Sequence, residues 1–170
     1  VEPLGDQSSQ MMARGVNASD SSSSDSTVMR IARVEDADIK IDGRVDEAIW
    51  DEIPAFDRMI VSDPDTLEKP AHQTKTRILY TEKGLFVAAE MEQPVETLVE
   101  RLSSRDESVN RDDYGFLVDS SGKGLFGYFF NIGLGGSKRD GKIAQEQNTT
   151  DQWGGRWGGE TAVATDGLRM

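Results

Sequence analysis

The chain alternates β-prone runs with short polar, glycine-bearing turns over most of its length. Residues 74–80 (Thr74, Lys75, Thr76, Arg77, Ile78, Leu79, Tyr80) and residues 85–89 (Leu85, Phe86, Val87, Ala88, Ala89) are rich in β-branched, aromatic and aliphatic side chains. Such residues fit a pleated, half-buried surface. The link Thr81-Glu82-Lys83-Gly84 ends in glycine and predicts a hairpin whose last position takes positive φ. Residues 114–118 and 126–132 repeat the pattern on either side of Ser120-Ser121-Gly122-Lys123-Gly124. Residues 28–34 and 39–41 are shorter candidates around an acidic turn, and residues 155–164 are a glycine-weakened candidate for the last strand.

Helical spacing is confined to short stretches. In Asp46-Glu47-Ala48-Ile49-Trp50-Asp51-Glu52-Ile53 the apolar Ile49, Trp50 and Ile53 share one face, Asp46 is placed to cap, and Pro54 stops the run. Residues 95–102, after Pro94, are a second candidate. Many short strands with so little helix predict an all-β fold, an antiparallel β-sandwich of jelly-roll-like form with one or two short helices. Trp50 has the size to plug one end of it. Residues 1–27 have little apolar content and end in a Ser/Asp run, so they read as a disordered leader or linker ahead of the sandwich, residues 28–170.

Charge and composition narrow the function. A formal net charge of −12 over 170 residues, with a pI near 4.5, leaves no dense basic face for nucleic acid or anionic lipid. With no cysteine there is neither a disulfide nor a thiolate metal site, and no apolar run approaches the ~20 residues of a membrane helix. The chain starts at Val1, as after signal-peptide removal or at a fragment boundary.

The stretch Ile41-Asp42-Gly43-Arg44-Val45-Asp46-Glu47-Ala48-Ile49-Trp50 resembles the opening signature of family 9 carbohydrate-binding modules. Thr76-Arg77-Ile78-Leu79-Tyr80 with Leu85-Phe86-Val87-Ala88, then Asp112 to Asp119, Gly127-Tyr128-Phe129-Phe130-Asn131, Gly141, and Asp151 to Trp157 are similar to the family's later segments, in the same order. The likeness is strongest to a subgroup in which the module precedes a predicted outer-membrane β-barrel of Gram-negative bacteria. It implies a jelly roll with structural calcium, in a periplasmic, outer-membrane or secreted protein. The partners it implies are a polysaccharide or cell-envelope glycan and a C-terminal β-barrel of the same polypeptide. Sugar-binding members carry a stacking tryptophan near Val109, a second beyond the end of this sequence, and a ligand-bonding arginine near Phe129 or Phe130. This chain departs from the pattern at each place.

Candidate chemistry follows two lines. Trp153 and Trp157, flanked by Gln152 and Arg156 and interleaved with glycines, can stack on the C–H face of a pyranose while their neighbours bond its hydroxyls. Alternatively, one indole packs under the last hairpin and the other lies along a strand edge. Asp106, Asp112, Asp113 and Asp119 offer loop oxygens of the kind calcium takes. Arg105 and Arg111 can instead neutralise those acids. Catalysis has no foothold, because the single His72 has no Cys or second His to work with and no nucleophile-elbow motif occurs. A haem-binding sandwich is a remote alternative, for which a Met ligand such as Met91 with a lysine or the single His72 is the minimum. A second functional class is a structural periplasmic domain that packs on a barrel and binds no sugar. Too few residues follow the turn at Thr165-Asp166-Gly167 to make a typical strand, so the sandwich is expected to be incomplete at its C-terminus.

Overall fold

The computed structural model describes residues 29–144, 148–151, 153–164 and 167–169. The leader of residues 1–27, and Gln152, lie outside the described residues. The described chain is mostly β, in two sheets. One contains β1 (Ala32–Arg33), β2 (Thr74–Thr81), β3 (Gly84–Met91), β9 (Gly167–Arg169) and β8 (Ala162–Ala164), in that spatial order. The other runs β4 (Asp113–Val118), β5 (Phe126–Gly133), β6 (Lys138–Ala144), β7 (Thr149–Thr150). All pairings are antiparallel except β1 with β2.

Both expected hairpins form. β2 and β3 pair from Thr74↔Met91 to Thr81↔Gly84, which leaves a two-residue turn and places Gly84 at φ 148°. β4 and β5 pair from Asp113↔Gly133 to Val118↔Tyr128. Four expectations are corrected. Residues 39–41 form no strand, because the backbone N–H of Lys40 is taken by the Glu47 carboxylate. The first helix, α1, is only Ile49–Glu52 and has no side-chain cap from Asp46. Glu47 instead bridges Lys40 and the Trp50 indole N–H, at 2.9 and 3.0 Å. The second is a single 3-10 turn, Val95–Thr97, because Asp112 exchanges bonds with Val99 and holds that stretch extended. The last strand candidate shrinks to Ala162–Ala164, and Gly167–Arg169 pairs both with it and with β3. β6, which the sequence pattern did not reveal, is an inner strand of its sheet.

The first cluster of buried side chains sits under α1, where Ala37, Trp50, Ile53, Leu79 and Ala88 pack together. A second, smaller one gathers Ile132 and Leu134 with Met91, Leu98, Tyr114 and Trp157. The sheets meet across the Thr76 and Tyr114 hydroxyls, 3.0 Å apart.

Candidate functional site

Alternation along β4 and β5 decides what faces the space between the sheets. Side chains two apart share a face, and the register pairs Tyr114 with Ile132, Phe116 with Phe130 and Val118 with Tyr128. These six are half-buried or buried and line a partly open cavity of about 560 Å³, opposite Phe86 and Ala88 of β3. Phe116 and Phe130 stack with centroids 5.2 Å apart. Burial pushes the Tyr114 hydroxyl pKa up, and its bond to Thr76 offsets this in part.

The segment 153–160 completes the wall. Its exposure alternates as in a strand, with Trp153, Gly155, Trp157 and Gly159 turned inward. Trp153 lies 4.6 Å from Tyr128 at 44° and 6.0 Å from Phe130, edge-on, while Trp157 meets Phe130 edge-on at 5.6 Å. The Lys138 ammonium stands 5.7 Å over the Trp157 ring. Each indole folds back over the glycine two residues on. A Cβ at Gly155 would lie 2.9 Å from Trp153, and one at Gly159 2.9 Å from Trp157. Gly155 and Gly159, two of the glycines interleaved with the tryptophans, are therefore covered by the indole rings.

Asp140 pins this segment to β6. Its carboxylate is fully buried, accepts the Gly155 N–H and pairs with Arg105, whose guanidinium also reaches the Gly155 carbonyl at 3.4 Å. Asp106, at φ 67°, accepts the Asp140 N–H at 3.1 Å. The indole N–H of Trp157 is buried with no partner among the described residues.

The mouth is formed partly by residues 39–45. Gly43, at φ 77°, lies so close to the chain before β8 that a Cβ there would come within 2.4 Å of the Thr161 carbonyl carbon. Only glycine lets the two segments meet. Lys40 pairs with Asp42, and Lys83, at the β2–β3 turn, pairs with Asp36, each at 2.9 Å. Those contacts hold Asp36 and Asp42 below, and both lysines above, their usual pKa.

Of the residues singled out by sequence, Trp153, Trp157 and Arg156 line this one cavity, the arginine at its exposed edge. The four aspartates do not converge. Asp112 accepts bonds from Val99 N–H at 2.6 Å and Gln93 at 3.2 Å, and exposed Asp113 opens β4. Asp119 lies beyond the other end of that strand, roughly 20 Å away by the rise of an extended chain. It accepts from Ser121 N–H at 2.8 Å and Oγ at 2.7 Å, Gly122 N–H at 3.0 Å and Gly124 N–H at 2.6 Å, and its pKa falls to about 2. Among the described residues no three His, Cys, Asp or Glu side chains come together, so these aspartates do not fit one calcium site. Arg105 does pair with acids, Asp106 and Asp140, whereas Arg111 bonds the Ser103 hydroxyl. Met91 packs beside Ile132 and Leu134, His72 is exposed, and neither lines the cavity.

Sequence reasoning passed over Tyr114, Phe116, Tyr128 and Phe130 as site residues, although their period-two spacing marks them as sharing a face. Nothing in the sequence marked Asp140. No protein-family model matches the chain, and no curated protein or solved structure matches it significantly.

Proposed function

We propose that this chain is a non-catalytic carbohydrate-binding module, a jelly-roll-like sandwich of the family 9 kind. In this reading it belongs to a larger secreted or outer-membrane protein of a Gram-negative bacterium and serves carbohydrate capture. The observation that carries the proposal is the convergence of Trp153 and Trp157 on one cavity with Tyr128 and Phe130. A volume of about 560 Å³ suits a small ligand, since such sites span roughly 300–1,000 Å³. Aromatic faces receive the C–H surfaces of sugar rings. The reading uses no metal: Asp112, Asp119 and Asp106 accept from separate backbone N–H groups, those of Val99, Gly124 and Asp140. Affinity electrophoresis through gels containing polysaccharides tests the reading. Retardation by at least one glycan, lost in Trp157→Ala while the far-ultraviolet circular dichroism is unchanged, is the expected result. Free migration in every gel would sink it.

A structural role against a β-barrel is the second reading, favoured by Leu117, Leu125 and Phe126, which are exposed on and beside β4 and β5. It is supported if a hydrophobic dye binds the isolated chain but not the same domain beside its barrel.

A further inference from the structure

The five-stranded sheet has a gap in it. β9 lies between β3 and β8, but it pairs with β3 only at Glu90 and Met91. Residues 84–88 of β3 therefore pair with nothing on that side among the described residues. Across the gap runs the segment before β8, residues 156–160, which belongs to no strand. Both sides line the same cavity. Where β9 lies, its two neighbours stand two strand spacings apart, roughly 10 Å, so the gap that continues it is one strand wide. The main chain along the gap is open. Thr76 and Tyr80 of β2 turn their main-chain groups away from β3, to Phe56 and Val34. Bonds alternate along an antiparallel pair, so β2 reaches β3 through Thr81, Leu79 and Arg77, opposite Gly84, Phe86 and Ala88. The N–H and C=O groups of Leu85 and Val87 point the other way, into the gap, and have no partner among the described residues. Such a row of open groups is a template for one more strand.

β9 determines which strand. It runs antiparallel to β3, so each residue forward in β9 is one residue back in β3, from Met91↔Leu168 to Glu90↔Arg169. Beyond Arg169 the same line passes Ala89, Ala88, Val87, Phe86 and Leu85, which is the length of the gap. A separate peptide or a second copy would have to begin against the end of β9. A polypeptide joined to β9 enters with its register already set and no loop to close. We infer that the gap is a strand-acceptor site, and that its occupant is the polypeptide following β9 in the larger protein, extended antiparallel to β3 toward Gly84. The inference rests on the larger protein of the proposed function and not on sugar binding. The added strand bonds the main chain of Leu85 and Val87. Its side chains alternate between the two faces of the sheet, so those that meet the cavity are apolar residues at every second position.

Amide hydrogen exchange, read by nuclear magnetic resonance on the 170-residue chain and on the natural protein continued past it, tests this. The Leu85 and Val87 amides should exchange freely in the first and about 100-fold slower in the second, as for amides that open only with their sheet. Phe86 and Ala88, bonded to β2, should be protected in both and serve as the internal control. A synthetic peptide of about ten natural residues following Arg169, the length of a long strand, should give the same protection when added to the 170-residue chain. Equal exchange of Leu85 and Val87 in both proteins, with Phe86 and Ala88 protected, would overturn the inference and leave the carbohydrate reading to its own gel test. Protection that grows with the concentration of the 170-residue chain would give the gap to a second copy and overturn it as well. So would a reading frame that stops at Met170.

Discussion

Two tryptophans border the same space between the sheets and are held in opposite ways. Trp50 is 4% exposed, packed by Ala37, Ile53, Leu79 and Ala88, and its N–H is bonded to Glu47. Trp157 is half-buried beside the open part of the cavity, and its N–H is buried without a partner among the described residues. A buried donor left unmet costs about 1–3 kcal/mol. The chain meets that need for the indole under α1 and leaves it at the mouth side. The Trp50 indole is fixed in position by a hydrogen bond, whereas that of Trp157 is held by ring contacts, edge-on to Phe130 and under the Lys138 ammonium.

The contrast breaks most visibly under truncation. Trp50→Ala should cost about 3–5 kcal/mol of stability in urea unfolding, the range for removing a buried aromatic. Trp157→Ala should cost less than half as much, since less area is lost and the unmet donor goes with it. Equal losses would mean that both indoles are core. Asp140→Asn comes next, at about 1–3 kcal/mol, because it removes the charge from a buried carboxylate that holds Gly155. The loss stays below that of a fully buried pair, since the Arg105 side chain is 45% exposed. Release of residues 153–160 should also shift tryptophan emission to the red, whereas Trp50, in its own cluster, should keep its environment. Unchanged emission with full loss of stability would make Asp140 a general core residue and not the pin of the tryptophan wall.

How much of this was legible depended on where the periodicity came from. The β2–β3 and β4–β5 hairpins were readable because apolar residues recur in strands and glycine-rich turns punctuate them. β6 was not, because Lys138, Arg139, Asp140 and Lys142 make it read as loop. By register Asp140 and Lys138 share a face with Phe130 and Ile132, and polar residues are tolerated there because the tryptophan segment covers them. Trp153, Trp157 and Arg156, singled out together from the sequence, line one cavity, but the sense of their packing was hidden. It depends on indoles folding over glycines and on a carboxylate arriving from a strand that the pattern did not show. The helix expected after Pro94 failed for a similar reason, since Asp112, far along the chain, holds Val99 extended.

Glycine substitutions sharpen the comparison at a smaller scale. Gly159→Ala places a methyl 2.9 Å from the Trp157 ring, and Gly155→Ala does the same to Trp153. Each should cost about 1 kcal/mol, at the low end for overpacking, because a half-buried indole can swing toward the cavity. Near-ultraviolet circular dichroism should change in both variants. If stability and spectrum both stay as in the parent protein, the indoles are not locked over their glycines.

The smallest expected effect is a pH dependence confined to the mouth end of the four-stranded sheet. Asp119 closes the turn after β4, next to Val118 and Tyr128 of the cavity wall, and its hydrogen bonds to Ser121, Gly124 and Gly122 lower its pKa from 3.8 to about 2. A carboxyl group with a depressed folded-state pKa binds protons more readily when unfolded, so its contribution to stability is present above the unfolded value. The contribution is lost as pH falls from about 4 through 2, the window set by those two values. Asp119→Asn cannot titrate and keeps one acceptor oxygen, so it removes only the charge-dependent part. The melting-temperature difference between parent and Asp119→Asn should be greatest near neutral pH and should vanish toward pH 2, because the other carboxylates titrate alike in both proteins. Tyr128 and Trp153 emission should follow that difference, since they adjoin the turn's strands, whereas the Trp50 cluster should not. A constant difference across the range would show that the turn is held by its glycine conformations, Gly122 at φ 62° and Gly124 at φ 68°, and owes nothing to the ionised carboxylate.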